Sequence, residues 1–143
     1  MSSLLPSHIR ISRAIDIAAA RAKIYQQVAN FNQWKVWNEY IHAYHNKRIE
    51  NNELKADEMT VSFTGKTDSL LTTAWQQPGG KKFGSGFAVI AQDSNHTTVQ
   101  WYFDFHLNWY PWEKFQSIVY DQQFGPLMEK TLANLKKITE SAD

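Results

Sequence analysis

The sequence predicts an α+β fold: a strongly curved antiparallel sheet of about six strands wrapped around a long C-terminal helix, with two short helices after the first strand. Three observations predict it. Apolar and polar residues alternate at a period of two near the N-terminus and through much of the middle of the chain. Turn-forming clusters punctuate the middle at hairpin spacing: Asn51-Asn52, Thr64-Gly65-Lys66, Gln77-Pro78-Gly79-Gly80 and Asp93-Ser94-Asn95. After about residue 112 the spacing changes to that of a helix.

The elements follow in order. In residues 8–17, Ile9, Ile11, Ile15 and Ile17 share one parity, as one face of a strand requires. Arg13 interrupts that face, which leaves two readings: a local bulge, or an arginine whose stem is buried. Ala18-Ala19-Ala20-Arg21-Ala22 then favours helix, with Ile24, Val28 and Phe31 on one face and Asn30 as a stop. A second short helix follows over residues 31–38, with Trp34 and Trp37 on a common face. The turns bound strand runs near 40–50, 54–63, 67–77, 82–92 and 96–108. Val99, Trp101, Phe103, Phe105 and Leu107 share one face of the last run, and Gln100, Tyr102, Asp104, His106 and Asn108 the other. Met59, Val61 and Phe63 alternate in the same way, as do Phe87, Val89 and Ala91. Gly84 and Gly86 inside a strand predict a bend or a close backbone approach. Leu127, Met128, Thr131, Leu132, Leu135 and Ile138 form the stripe of the final helix, with Pro126 in its first turn. Residues 112–124 suit a shorter helix, with a break near Gly125-Pro126.

Composition narrows the class. The chain has 143 residues, 43% of them hydrophobic and 14% aromatic, which excludes the low-hydrophobicity composition of disordered chains. By length it is expected to form one domain over residues 1–143. Apolar runs such as 87–91 are far too short for a membrane-spanning helix, which needs about 20 residues. A net charge of +1, with the basic residues scattered, argues against nucleic acid as a partner. The lack of cysteine removes disulfides, zinc–thiolate sites, iron–sulfur clusters and thiol nucleophiles. The N-terminal residues have neither the basic nor the apolar region of a secretory signal, so a cytoplasmic location is expected.

Three segments carry a resemblance to a known family. Ile11-Ser12-Arg13-Ala14-Ile15-Asp16-Ile17-Ala18-Ala19 is similar to an opening strand that runs into an Ala-rich helix. The segment from Ile24 through Val28, Trp34 and Trp37 to Asn38 looks like a helix pair with a V-x-x-W-x-x-W ending. Phe124-Gly125-Pro126-Leu127-Met128-Glu129 through Leu132-Ala133-Asn134-Leu135-Lys136-Lys137 is similar to a final helix ending in L-x-x-L-K. In this order the segments resemble the START-related helix-grip (SRPBCC) superfamily, which includes lipid-transfer domains, pollen allergens and polyketide cyclase/dehydrase-like proteins. The resemblance implies a deep cavity between the sheet and the C-terminal helix. It implies little about activity, because members bind, transport, catalyse or contact proteins on one scaffold.

Chemistry-bearing motifs are sparse. His42 and His45 are three apart in a stretch read as strand or loop, and no carboxylate cluster supports them, so no metal site is expected. Asp104 and His106 point the same way on one strand, as an orienter–base pair would. They lie opposite Trp101, Phe103 and Phe105, so a buried aromatic face puts the pair in solvent. Asp57 and Glu58 read as a solvated strand edge. Gly79-Gly80-Lys81-Lys82 reads as a hairpin turn rather than a phosphate cradle. No dinucleotide fingerprint or P-loop is present, and no cofactor is expected.

The aromatic residues remain, and most of them fill the core. Rigid rings also wall cavities for small ligands. The expected lining is Trp37, Met59, Phe63, Trp75, Phe87, Trp101, Phe103, Phe115 and Met128, with Tyr40, Tyr102, Tyr110 and Tyr120 as hydroxyl handles. The leading reading is a protein that binds a small hydrophobic or amphipathic ligand, lipid-like or polyketide-like. Two alternatives stand beside it. One is a cyclase or dehydratase with an acid–base residue in the cavity. The other is an interaction module, or a homodimer, that uses the aromatic cluster Trp109-Tyr110-Pro111-Trp112.

Overall fold

The computed structural model describes residues 7–42, 44–77, 82–107 and 113–141. It has seven strands and four helices in the order β1 (Ser7–Ile17), α1 (Arg21–Val28), α2 (Phe31–Trp37), α3 (Glu39–His42), β2 (Lys47–Glu50), β3 (Glu53–Ala56), β4 (Met59–Lys66), β5 (Leu70–Gln76), β6 (Lys82–Asp93), β7 (His96–Leu107) and α4 (Glu113–Ser141). The strands form one antiparallel sheet in the order β1-β7-β6-β5-β4-β3-β2. α4 lies along β1 and packs against α1, α2 and α3 on the apolar side of the sheet.

The sheet has seven strands rather than six. Residues 54–63 do not form one strand, because Asp57 takes a left-handed conformation (φ 55°) and turns the chain with Glu58 between β3 and β4. The asparagine pair before β3 makes a similar turn, with φ 53° at Asn51 and 62° at Asn52, a conformation asparagine tolerates well. Residues 39–42 begin the run expected as strand and instead form α3, so His42 sits on a short helix. Asn30 does more than stop α1. Its side-chain oxygen accepts from Asn32 N at 2.9 Å and caps α2.

The expected alternation puts the apolar residues on one enclosed face. Cross-strand pairs such as Phe87 with Trp101, Val89 with Val99 and Val61 with Trp75 build it. On the opposite face Gly86 gives the close approach expected of it. Tyr102 lies across it, and an added Cβ would come within 2.5 Å of the Tyr102 hydroxyl. Arg10 covers the Tyr102 ring at 4.0 Å and pairs in bidentate fashion with Asp104 at 2.7 and 2.8 Å. Nothing lies within 4 Å of a Cβ built on Gly84.

Arg13 shows how α4 is held. The register between β1 and β7 runs unbroken through it, so there is no bulge. Its guanidinium spans to α4, donating to Asp121 at 2.9 and 3.0 Å and to Glu129 at 2.8 Å. Gly125 makes the room, since a Cβ there would be 2.2 Å from an Arg13 nitrogen. The break expected at Gly125-Pro126 does not occur, and α4 continues through both residues. Proline removes one i→i−4 bond, to the carbonyl of Gln122. Gln122 and Pro126 are both exposed, so water can satisfy that carbonyl. Further along, Thr131 accepts from Glu39 N at 3.0 Å, and Asn134 donates to Trp37 O at 3.2 Å and to Glu39 at 2.7 Å. These bonds tie α4 to the α2–α3 junction.

This arrangement sets the sign of a substitution at Gly125. Gly125→Ala is expected to destabilise the protein by about 1–3 kcal/mol by crowding the guanidinium. In an Arg13→Ala background the same change is expected to stabilise by about 0.5–1 kcal/mol, because alanine is the better helix former. Denaturant midpoints of the four proteins check this reversal.

Acid should loosen the same contact. The Arg13 guanidinium, hydrogen-bonded to Asp121, holds that carboxyl below the ordinary aspartate range. A depressed folded value contributes stability above the unfolded value, and that contribution disappears as pH falls through the folded one. Asp93, hydrogen-bonded by Asn95 N and His96, and Glu140, hydrogen-bonded by Lys136 and Ala18 N, are lowered too. Stability is therefore expected to fall as pH drops from about 4. Asp121→Asn should flatten that slope, as thermal melts across pH 2–6 would show.

Candidate ligand-binding site

A contiguous cluster of rings runs through the enclosed face, among aliphatic residues such as Ile41, Val61, Leu71, Val89 and Leu132. α2 contributes Phe31, Trp34 and Trp37, α3 Tyr40 and α4 Phe124. The sheet contributes Phe63, Trp75, Phe83, Phe87, Trp101, Phe103 and Phe105. Trp34 is the hub at one end, with ring centroids 5.1 Å from Phe31, 5.8 Å from Trp37 and 5.6 Å from Phe87. Phe87 stacks on Trp101 at 4.9 Å and 11°. At the other end Tyr40 meets Trp101 and Phe103 edge-on, and Phe124 closes over Phe103 and Phe105 at 5.9 and 4.9 Å.

Indole groups in such a place need acceptors, and the few buried polar residues supply them. Trp101 Nε1 donates to Ser85 Oγ at 2.9 Å, which itself donates to Tyr102 O at 2.7 Å. Trp75 Nε1 donates to Thr73 Oγ1 at 3.1 Å, and Trp34 Nε1 to Val28 O at 2.7 Å. Trp37 Nε1 is buried with no partner among the described residues, as is Asn38 Nδ2 beside it in sequence. No buried side chain among the described residues is ionisable. Tyr40, half-buried, packs among the rings, and its hydroxyl donates to Phe124 O at 2.8 Å. Burial pushes that hydroxyl above the ordinary phenol range, so it serves as a neutral donor.

The expected lining residues come together, but they do not face open space. Trp37, Phe87, Trp101, Phe103 and Met128 have no exposed surface, Trp75 has 1% and Met59 has 4%. Each is covered by other rings and side chains. Phe63 alone among the described members keeps substantial exposure. The side chain of Phe115 lies outside the described residues, as do those of His106 and Tyr120 and the whole of residues 78–81 and 108–112. Of the hydroxyl handles, Tyr40 turns inward, whereas Tyr102 lies on the outer face with Asp104. Asp57 and Glu58 are exposed in their turn. Among the described residues no group of three or more His, Cys, Asp or Glu side chains could hold a metal ion. None of the described helices is long and apolar enough to cross a membrane.

Sequence reasoning put Phe31 and Phe105 on apolar faces without counting them as lining, and it missed Phe83, Phe124 and the pairing of Ser85 and Thr73 with the indoles. The parity of Phe83 was available. The roles of the hydroxyls depend on which tryptophan lies beside which strand.

This architecture is the START-like helix-grip fold, and solved structures share it over nearly the whole chain. A START superfamily protein from Mycobacterium smegmatis is 17% identical, with a TM-score of 0.65, covering 92% of this chain and 97% of that one. Norcoclaurine synthase from Thalictrum flavum, in complex with dopamine and hydroxybenzaldehyde, is 10% identical, with a TM-score of 0.68 and coverage of 99% and 92%. A Staphylococcus aureus protein of unknown function is 8% identical, with a TM-score of 0.73 and coverage of 94% of each chain. At these identities the likeness establishes the fold. No family model and no curated protein matches the sequence.

The indole pairing predicts unequal costs for equal changes of size. Trp34→Phe removes a hydrogen bond and strands the Val28 carbonyl, whereas Trp37→Phe removes a donor with no partner among the described residues. Trp34→Phe is expected to cost about 1–3 kcal/mol more than Trp37→Phe in denaturant unfolding.

Proposed function

We propose that this protein binds a small hydrophobic or amphipathic molecule between the sheet and α4. The observation that carries the reading is the enclosed face itself. It joins twelve aromatic residues and buries no ionisable side chain among the described residues. Such a surface favours apolar matter and offers few polar groups to orient it. Trp37 Nε1 and Asn38 Nδ2 are donors without partners among the described residues, and an oxygen on the ligand would satisfy them. Occupancy requires rings to part, and the flexible side chains of Met59 and Met128 within the cluster ease such repacking. Fold likeness to a START superfamily protein and to an enzyme holding two small aromatic compounds supports the reading.

Binding is favoured over cyclase or dehydratase chemistry by the same interior. An acid–base catalyst needs a titratable group within reach of the substrate. Tyr40, with a raised pKa and a hydrogen bond to Phe124 O, is poorly suited to exchange protons near neutral pH.

Titration with N-phenyl-1-naphthylamine, an uncharged apolar fluorophore, tests the reading. Saturation at one equivalent, with energy transfer from tryptophan, is the expected result. Trp75→Phe should weaken it several-fold with the fold retained. Absence of saturable binding for this probe and for small aromatic aldehydes, together with no small molecule retained in native mass spectrometry, would overturn it.

A further inference from the structure

An irregularity in β4 shapes the end of the sheet near the α1–α2 turn. The register between β4 and β5 slips between Phe63 and Gly65: Phe63 pairs with Thr73, but Gly65 pairs with Thr72 and Lys66 with Leu71. Thr73 and Leu71 both point to the enclosed face. The bulge therefore moves Lys66 onto the same face as Phe63, where simple alternation would have turned it outward. The Lys66 ammonium sits 4.2 Å from the centroid of the Phe63 ring, which stacks on Phe31 at 4.3 Å and 18°.

These groups border an open cleft of about 630 Å³ between the α1–α2 turn and the β2–β3–β4 end of the sheet, lined also by Ala29, Asn30, Ile49 and Asn52. Its size falls within the range of small-molecule sites, roughly 300–1,000 Å³. Lys66 is the one charged residue in the lining, and it makes no ion pair with the described residues. The Asn30 carbonyl oxygen is committed to capping α2, which leaves its amide N–H groups as donors. The cleft thus pairs an apolar wall of Ala29, Phe31, Ile49 and Phe63 with a cation and a donor amide. A lone ammonium is a point charge and suits a monoanion; a dianionic phosphate is better met by a guanidinium fork.

We propose that this cleft binds a carboxylate with an apolar body, the head at Lys66 and the body against Phe31, Phe63 and Ile49. The cleft shares Phe31 and Phe63 with the ring cluster but opens at the α1–α2 turn rather than beneath α4, and the proposal does not rest on ligand binding in the interior. Lys66 is exposed at a strand end, so its replacement leaves the core intact.

Decanoate, with decanol as the uncharged control, tests it by ¹⁵N chemical-shift titration of the full chain. Decanoate should shift the amides of residues 29–31, 52 and 63–66, and bind at least tenfold more weakly to Lys66→Glu. Lys66→Arg should retain binding, and decanol should shift these cleft amides weakly and equally in all three proteins. Equal decanoate affinity for wild type and Lys66→Glu would overturn the proposal. Shifts confined to residues around Tyr40 and Phe124 would overturn it too while leaving the interior reading in place. Failure of the interior reading would show instead as no saturable binding of the uncharged fluorophore, with these shifts intact.

Discussion

Removing four indoles from water on one side of a small sheet is the constraint that organises this molecule. Each of Trp34, Trp37, Trp75 and Trp101 is essentially without exposed surface, and each carries a donor that costs free energy if left bare. Thr73 and Ser85 sit on the otherwise apolar inner faces of β5 and β6, where Trp75 and Trp101 use their oxygens. The end of α1 lies where Trp34 can use the Val28 carbonyl. Trp37 is the exception, and that is why the proposed ligand is given an oxygen.

A face this rich in rings must be covered, and the cover is secured by polar bonds at its margins. Arg13 reaches from β1 to Asp121 and Glu129, through a notch that only glycine at position 125 leaves open. Tyr40 grips the Phe124 carbonyl from within, and Thr131 and Asn134 hold the α2–α3 junction. Ion pairs at a partly exposed margin add only modest stability. Their value here is positional, since they fix which part of α4 faces the sheet.

The bulge in β4 has the opposite effect, placing charge where the pattern forbids it. Thr64-Gly65-Lys66 reads as a turn, yet β4 runs through it and turns only afterwards. One unpaired residue reverses the parity of everything beyond it, so Lys66 joins Phe63 on the enclosed face. Apolar surface then meets a cation at the rim, an amphipathic setting that neither residue signals alone.

The sequence by itself determined the α+β class, the first strand, the paired tryptophans of α2, the aromatic face of β7 and the stripe of α4. These rest on periodicity, which the local backbone geometry dictates. Strand parity also assigned Phe63, Phe87, Trp101, Phe103 and Phe105 of the ring cluster, with Met59, to enclosed faces. Only the tertiary structure decided that these rings close upon one another. Packing density depends on how strands curve and on which distant residue arrives opposite each ring. The course of α4 through Pro126, the reach of Arg13 and the turn at Asp57 were settled in the same way. Each depends on a partner more than ten residues away, or on a left-handed backbone, and neither leaves a periodic trace in the chain.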